Sequence, residues 1–244
     1  MKRLLFILST LFICGIAFAQ TIRWHVGDTV IRTDTCSSGD SITPPTAPAK
    51  TGYNFVEWKL LYTRIEYLES TGTQYINTGF VANVNTYVVF KGAIKSVTTN
   101  FAGCGADNGG LHFVYDTSMK GIRTGGTGSM IPITYTLGDV VIIKNYYNTE
   151  NKRVVQIEDK ICVGSEGLFP NITIGMFALH DSSDRFVSAG GQKIYSFKIY
   201  DNNVLVRDFI PVLDKNGVPC MYDKVTQQFF YNAGTGDFIA GPAI

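Results

Sequence analysis

The strongest constraint on the fold is a rhythm of short runs rich in Val, Ile, Thr, Tyr and Phe, which Gly, Asn and Asp interrupt. After residue 20, no apolar pattern with the i, i+3, i+4 spacing of a helix is sustained. β-Branched and aromatic residues favour strands, whereas Gly, Asn and Asp favour the turns between them. The sequence therefore predicts an all-β chain.

The clearest single element is "KIYSFKIYDNNVLVRDFIP" at residues 193–211. Its two alternating runs flank a short polar turn, which predicts a β-hairpin. We expect one face of its first strand to carry Ile194, Ser196, Lys198 and Tyr200, and the other face to carry Tyr195, Phe197 and Ile199. Many similar runs between residues 62 and 244 predict a two-sheet antiparallel sandwich or a barrel.

The N-terminus carries an export signal. Lys2 and Arg3 precede an apolar run, and the small residues of "AFA" end at Ala19, which predicts removal of residues 1–19 before Gln20. Lipidation at Cys14 is the alternative. No later segment approaches the roughly 20 apolar residues of a membrane-spanning helix. We therefore expect a mature chain that is periplasmic, at the cell surface or secreted, and that has no membrane span.

Charge limits the choice of partners. Without residues 1–19 the chain holds 19 Lys and Arg against 20 Asp and Glu, so its net charge is about −1. Nucleic acids and anionic membranes attract strongly basic surfaces. This near-neutrality argues against nucleic acid as a partner and leaves glycans or extracellular proteins.

Four cysteines remain after export, at positions 36, 104, 162 and 220. An oxidising compartment permits disulfides, and four cysteines allow three pairings. Their wide spacing matches no zinc signature such as C-x₂-C. Buried free thiols and disulfide bridges both stay open for Cys36, Cys104, Cys162 and Cys220.

Residues 20–61 form a distinct first module. Thr21–Thr35 alternates around Gly27-Asp28, which predicts a hairpin. The motif "KTGYNFVEWK" follows a cluster of prolines at 44, 45 and 48. Because a domain this small has few core positions, we expect its core to consist of large aromatic side chains. They are Trp24, Tyr53, Phe55 and Trp58.

The same motif resembles the Listeria–Bacteroides repeat, the internalin-type B-repeat of bacterial surface proteins. The residues that carry the resemblance are Lys50, Gly52, Tyr53, Phe55 and Trp58. The resemblance implies a small β-grasp-like module.

Residues 62–244 resemble a second family, the laminin-G-like, concanavalin A-like jelly-roll domains of bacterial surface and phage-associated proteins. "IEYLESTGTQYINTGF" opens the resemblance and "KIYSFKIYDNNVLVRDFIPVLDKNGVPCMYDKVTQQFFYNAGTGDFIAG" closes it. The resemblance implies a β-sandwich and a surface setting. It implies no single activity, because this fold carries lectins, glucanases and adhesive spacers alike.

Carboxylate pairs of the kind that glycosidases use are not evident. Glu66 and Glu69 lie three residues apart, so on a strand they point to opposite faces. Glu158 and Asp159 are adjacent and also diverge. Retaining glycosidases need two carboxyl groups about 5 Å apart. The sequence therefore predicts a non-enzymatic protein, with a glycan-cleaving enzyme on the same sandwich as the alternative.

A polar loop between two strong strands, "HDSSDR", is the candidate binding site. We expect its imidazole, carboxylate and guanidinium groups to offer hydrogen bonds to a sugar, or oxygens to calcium. The spacing lacks the pattern of an EF-hand, and no zinc motif surrounds any histidine. The predicted binding residues are His180, Asp181, Asp184 and Arg185.

Aromatic residues are abundant, with 13 Tyr and 16 Phe. Tyrosines on a sheet face stack on sugars in some proteins and form cross-strand pairs in others. The sequence does not say which way Tyr146, Tyr147, Tyr195 or Tyr200 faces. The resulting hypothesis is an exported adhesion or glycan- or protein-binding module, with a purely structural display domain as a further alternative.

Overall fold

The computed structural model describes residues 2–9, 20–27, 29–37, 40–96, 102–104, 110–125, 132–166, 171–187 and 190–244. These residues form strands, bridges and turns and contain no helix, which confirms the all-β prediction. Accordingly, no described segment is a helix of the length and apolarity that crossing a membrane requires.

The strands of the described residues are numbered in chain order. They are β1 (Lys2–Ser9), β2 (Gln20–Val26), β3 (Thr29–Cys36), β4 (Tyr53–Leu60), β5 (Tyr62–Arg64), β6 (Leu68–Thr71), β7 (Ile76–Val81), β8 (Thr86–Ile94), β9 (Ala102–Cys104), β10 (Leu111–Asp116), β11 (Gly121–Thr124), β12 (Ile133–Thr134), β13 (Val140–Tyr147), β14 (Lys152–Ile157), β15 (Lys160–Glu166), β16 (Thr173–Met176), β17 (Leu179–His180), β18 (Phe186–Val187), β19 (Gly191–Asp201), β20 (Val204–Asp214), β21 (Pro219–Asp223), β22 (Gln228–Phe230) and β23 (Ile239–Ala240).

The chain divides into two compact units. The first holds the described residues up to Arg64, together with Leu213–Val218 and Ala243–Ile244. The second holds Ile65–Val212 and Pro219–Pro242.

The first unit is built on one sheet with the strand order β3-β2-β1-β4. β2 and β3 form the predicted hairpin, with Val26 opposite Thr29. β1 pairs antiparallel with β2 and parallel with β4. This strand belongs to the segment predicted as an export signal, whereas Cys14 and the proposed cleavage region at residues 10–19 lie outside the described residues. Removal of residues 1–19 stays a prediction.

Aromatic rings fill the interior of the first unit. Trp24 is buried, and its ring meets that of Trp58 edge-on at 5.2 Å between centroids. The Trp24 indole nitrogen donates a hydrogen bond to Asp34 at 2.7 Å, so the polar end of this buried ring is satisfied. Phe55 packs on Trp58 at 5.5 Å. Tyr53 is half-exposed, and its ring contacts the ammonium group of Lys50 instead.

The second unit contains two sheets packed as a sandwich. The larger sheet follows the order β15-β14-β13-β8-β19-β20-β21-β22, and the smaller sheet follows β12-β11-β10-β9-β16-β7. Aromatic side chains from both sheets meet between them, as where Phe90 of β8 lies 5.3 Å from Phe113 of β10. Burial of such apolar surface is the main force that holds two sheets together.

Three adjacent strands, β13, β8 and β19, form the centre of the larger sheet. Alternate residues point inward, so Phe90, Ile143 and Ile199 are fully buried. Phe90 lies over Gly92, where an added Cβ would come within 2.1 Å of the ring. A glycine at position 92 therefore makes room for the largest side chain of this layer.

The alternation of β19 differs from the prediction. A bulge between Ile194 and Ser196 inserts Tyr195, so Ile194 joins Phe197 and Ile199 on the buried face. The expectation that Ile194 shares a face with Ser196 is therefore wrong. Bulges depend on the partner strand, so the residue pattern of one strand does not reveal them.

The stretch that opens the second unit divides between its sheets. β6 pairs with the start of β19, with Glu69 opposite Lys193, while β7 joins the smaller sheet beside β16. Buried Gln74 holds the corner between them, because its Oε1 accepts a hydrogen bond from the Thr71 amide at 2.9 Å. The opening stretch and the start of β19 are therefore neighbours in the larger sheet.

The four cysteines of the described residues are free thiols. Cys104, Cys162 and Cys220 are buried and Cys36 is half-buried. Burial raises the pKa of the Cys104 thiol to about 11. Because the thiolate is the nucleophile, this residue is an inert part of the core at neutral pH.

Candidate functional site

A row of three tyrosines crosses the outer face of the larger sheet. Tyr87 of β8 lies opposite Tyr200 of β19 on one side and opposite Tyr146 of β13 on the other. The ring centroids are 5.4 Å apart for Tyr87 and Tyr200 and 5.8 Å apart for Tyr87 and Tyr146. All three side chains are half-buried. We call these residues the tyrosine row.

Beside the tyrosine row lies an open cleft of about 660 Å³. Tyr87 and Tyr146 line it, and side-chain amides surround them. The amides belong to Asn85, Asn148, Asn151, Gln156, Asn202 and Asn203. Pockets of this size are typical of sites for small molecules.

Turn geometry explains part of this asparagine content. Asn151, Asn202 and Asn203 have positive φ angles, a conformation that asparagine tolerates better than most residues. The Asn148 side chain accepts hydrogen bonds from the amides of Glu150 and Lys152 and so shapes its turn. The positive φ angles concern the backbone and do not use the side-chain amides. The side-chain amides of Asn151, Asn202 and Asn203 form no hydrogen bond within the described part of the chain.

Lys144 and Gln156 form the floor of the cleft beside Tyr146. They face each other on β13 and β14. The Gln156 amide nitrogen donates to the Glu158 carbonyl oxygen at 2.8 Å, and its Oε1 accepts from the Tyr146 hydroxyl at 3.5 Å. Gln156 is therefore held in place, with spare acceptor capacity on its oxygen.

The central phenol of the row, that of Tyr87, is neutral at pH 7. Burial raises the pKa of Tyr87, and the neighbouring Tyr200 and Tyr146 raise it further. A neutral phenol both donates and accepts hydrogen bonds. The cleft thus combines aromatic faces, hydroxyls and amides, and among the described residues that line it none is Asp or Glu.

The loop predicted to bind ligand has a different character. His180 is 4% exposed, and its ring stacks on Phe186 at 4.1 Å. Its Nε2 donates to the Asp184 carboxylate at 2.8 Å, and its Nδ1 lies 2.9 Å from the Thr173 hydroxyl. Both ring nitrogens therefore have partners within the fold.

The other two predicted residues of the loop are also paired. The Asp181 carboxylate accepts hydrogen bonds from the Ser183 and Arg185 amides, at 2.9 and 3.1 Å, and from the Arg185 guanidinium at 2.8 Å. These bonds lower the pKa of Asp181 against the opposing effect of its burial. The loop brings all four predicted residues together, and their contacts close a turn. Ligand binding there stays a prediction.

The sequence predicts no cofactor and leaves calcium as an alternative ligand of this loop. In the described part of the chain, no three His, Cys, Asp or Glu side chains are grouped so that they could hold a metal ion.

The acidic residues considered for glycan cleavage lie in unlike environments. Glu66 is exposed, whereas Glu69 is buried and forms ion pairs with Lys95 and with Lys193, the latter at 3.8 Å. Glu158 and Asp159 are exposed in the turn between β14 and β15. None of these four residues lines the cleft.

Sequence reasoning missed Tyr87, Lys144 and Gln156. The sequence contains part of this information, because Tyr87 and Tyr146 lie in alternating strand patterns and Asn residues flank both strands. The missing information was the register of β8 against β13 and β19, which brings residues from distant parts of the chain into one row.

Two comparisons with known proteins gave no match. No protein-family model matches the chain, and no curated protein matches it. The resemblances to the B-repeat and to the laminin-G-like sandwich therefore stay predictions.

Proposed function

We propose that this protein is an exported, non-enzymatic surface or secreted protein whose sandwich binds a glycan in the cleft beside the tyrosine row. The observation that carries the proposal is that two rings of the row, Tyr87 and Tyr146, line an open cleft together with side-chain amides. Sugar rings have apolar C–H faces that pack on aromatic rings, and hydroxyl edges that exchange hydrogen bonds with amides.

The geometry favours binding over cleavage. Hydrolysis of a glycosidic bond needs a positioned pair of carboxyl groups. The polar groups in the described lining of this cleft are amides, phenols, two threonine hydroxyls and one lysine ammonium group. A purely structural role accounts for the cross-strand ring contacts and the turn asparagines, but not for the position of Tyr87 and Tyr146 beside several side-chain amides that have no partner among the described residues.

A glycan array probed with the purified full chain tests the proposal. We expect binding to a restricted set of glycans and its loss in Tyr87→Ala, while Tyr87→Phe keeps most of it because the ring remains. Parallel urea unfolding of each variant reports whether the fold survives. Absence of binding to any glycan by the folded wild-type protein contradicts the proposal.

Export is tested separately. Expression of the full chain in a bacterial host, followed by fractionation and N-terminal sequencing, should give a released or periplasmic product that begins at Gln20. A cytoplasmic product that retains Lys2 and Arg3 contradicts export and leaves the glycan-binding proposal standing.

A further inference from the structure

The lysines on the outer face of the larger sheet differ in their partners. Lys193 lies 3.8 Å from Glu69 and its ammonium group sits 3.8 Å from the ring centroid of Tyr67. Lys198 lies 3.9 Å from Asp208, and Lys91 lies over the ring of Tyr195. Each of these cations therefore has an anion or an aromatic face beside it.

Lys144 has no such partner. Its neighbours across the sheet are Val89 on β8 and Gln156 on β14, both uncharged. Within the described part of the chain it forms no ion pair, although it is half-buried at the floor of the cleft. Its ammonium group is therefore a positive charge in the cleft that no described side chain pairs with.

The surroundings of the cleft do not neutralise this charge. Among its described lining residues Lys144 is the one charged side chain. Glu150, at the nearby turn, is paired with Lys152 at 2.7 Å. Asp201, next to the rim, accepts a hydrogen bond from the Asn83 amide at 2.9 Å and does not line the cleft. Lys144 is thus the one charged group of the described lining, and the Asp201 carboxylate stays outside it.

We infer that the glycan bound by the cleft is acidic, and that Lys144 selects it by pairing with a carboxylate or sulfate group on a sugar. This inference rests on the proposed function, because it names the class of glycan that the same cleft takes. Amides and phenols of the rim contact neutral hydroxyls, while Lys144 acts as a compact point charge for the acidic group.

The test compares polysaccharides that differ in their acidic groups alone. The probes are polygalacturonate and its carboxyl-reduced form, and dextran sulfate and dextran. The proteins are wild type, Lys144→Gln, Tyr87→Ala and Lys160→Gln. Lys160 is an exposed lysine of the same unit that does not line the cleft, so its variant removes the same charge without touching the site.

We expect wild type and Lys160→Gln to bind at least one acidic probe about tenfold more tightly than its neutral counterpart, the size that one charge-assisted hydrogen bond gives. Lys144→Gln should bind both members of the pair equally, and Tyr87→Ala should bind neither. The polymer preferred distinguishes a carboxylate from a sulfate.

Three results overturn the inference. They are equal binding of both members of each pair by wild type, a preference that persists in Lys144→Gln, and a preference that Lys160→Gln loses as fully as Lys144→Gln does. In each case, binding that still requires Tyr87 leaves the proposed function standing. Loss of all binding by folded wild-type protein, on the array and with these probes, contradicts both.

Discussion

The loop at residues 180–185 and the cleft beside the tyrosine row contain similar chemistry in opposite states. In the loop, each polar side chain of His180, Asp181, Asp184 and Arg185 contacts another part of the same turn or the strand beneath it. In the cleft, Lys144 and several amides have no partner in the described residues. A site for a ligand is marked by groups left unpaired rather than by the polarity of a stretch of sequence.

The largest predicted effect concerns the smaller sheet, which carries the loop. His112 of β10 pairs with Gly103 of β9, and Gly103 also pairs with Leu179 next to the loop. Burial, together with the charges of Arg153 and Arg123, lowers the pKa of His112 to about 4. The unfolded chain therefore takes up a proton on this histidine near pH 6.5, whereas the folded chain takes it up only near pH 4.

The free energy of unfolding should consequently fall by up to about 3 kcal/mol as the pH drops from 7 to 4, since stability rises with pH wherever the unfolded state holds more protons. Urea unfolding across this range measures the slope. His112→Gln should flatten it, whatever its stability at pH 7. An unchanged slope in that variant assigns the acid sensitivity to another group.

Removal of the Phe186 ring, which lies in β18 directly after the loop, should mainly affect stability. Phe186 is sandwiched between Tyr75, at 4.2 Å, and His180, at 4.1 Å. Because Phe186 is half-buried, Phe186→Ala should lower the free energy of unfolding by about 2 kcal/mol, below the range for a fully buried ring. Glycan binding by the folded fraction should not change. A loss of binding at equal folding would make the loop part of the site.

Two tyrosines of β19 allow the effect of losing a ring near the cleft to be compared with the effect at the other end of the same sheet face. Tyr200 does not line the cleft but packs on the cleft residue Tyr87 at 5.4 Å, whereas Tyr195 packs on Tyr67 at 5.5 Å. Tyr200→Ala should weaken glycan binding about tenfold, corresponding to about 1.4 kcal/mol. Tyr195→Ala should leave affinity within about twofold. Titration with the best glycan from the array measures both, and equal losses would remove the distinction between the two ends.

The smallest predicted effect is that of the exposed carboxylate of the loop. The Asp184 side chain is 89% exposed, although it accepts a hydrogen bond from buried His180. Asp184→Asn keeps the shape of the side chain, and an exposed pair contributes about 1 kcal/mol or less. Thermal unfolding should therefore change slightly and glycan binding should not change. A tenfold loss of affinity would show that the loop is part of the binding site.

Local patterns predicted the strands well and the site poorly. The alternation in "TIRWHV" and in "VLVRDF" indicates strands directly, because a period of two is a property of a single strand and does not depend on its partner. The bulge at Tyr195 and the row of Tyr87, Tyr146 and Tyr200 depend on register between strands far apart in sequence. One residue of slip would send each of these side chains to the other face.

The contacts within the loop could not be predicted for a related reason. "HDSSDR" contains residues that bind ligands in many proteins, and sequence alone does not show whether such groups face solvent or each other. The decisive contacts, from Thr173 and Phe186 to His180, come from the strands on either side.

The pairing of β8 with β19 has a consequence for how the protein forms. Their partner residues lie about a hundred positions apart along the chain, and β19 is also the strand that receives β6. On a ribosome, β8 emerges well before its partner is made, so the central ladder of the larger sheet closes late. Long-range β pairing of this kind is slow. A chain that stays open during synthesis is also one that can be threaded across a membrane before it folds.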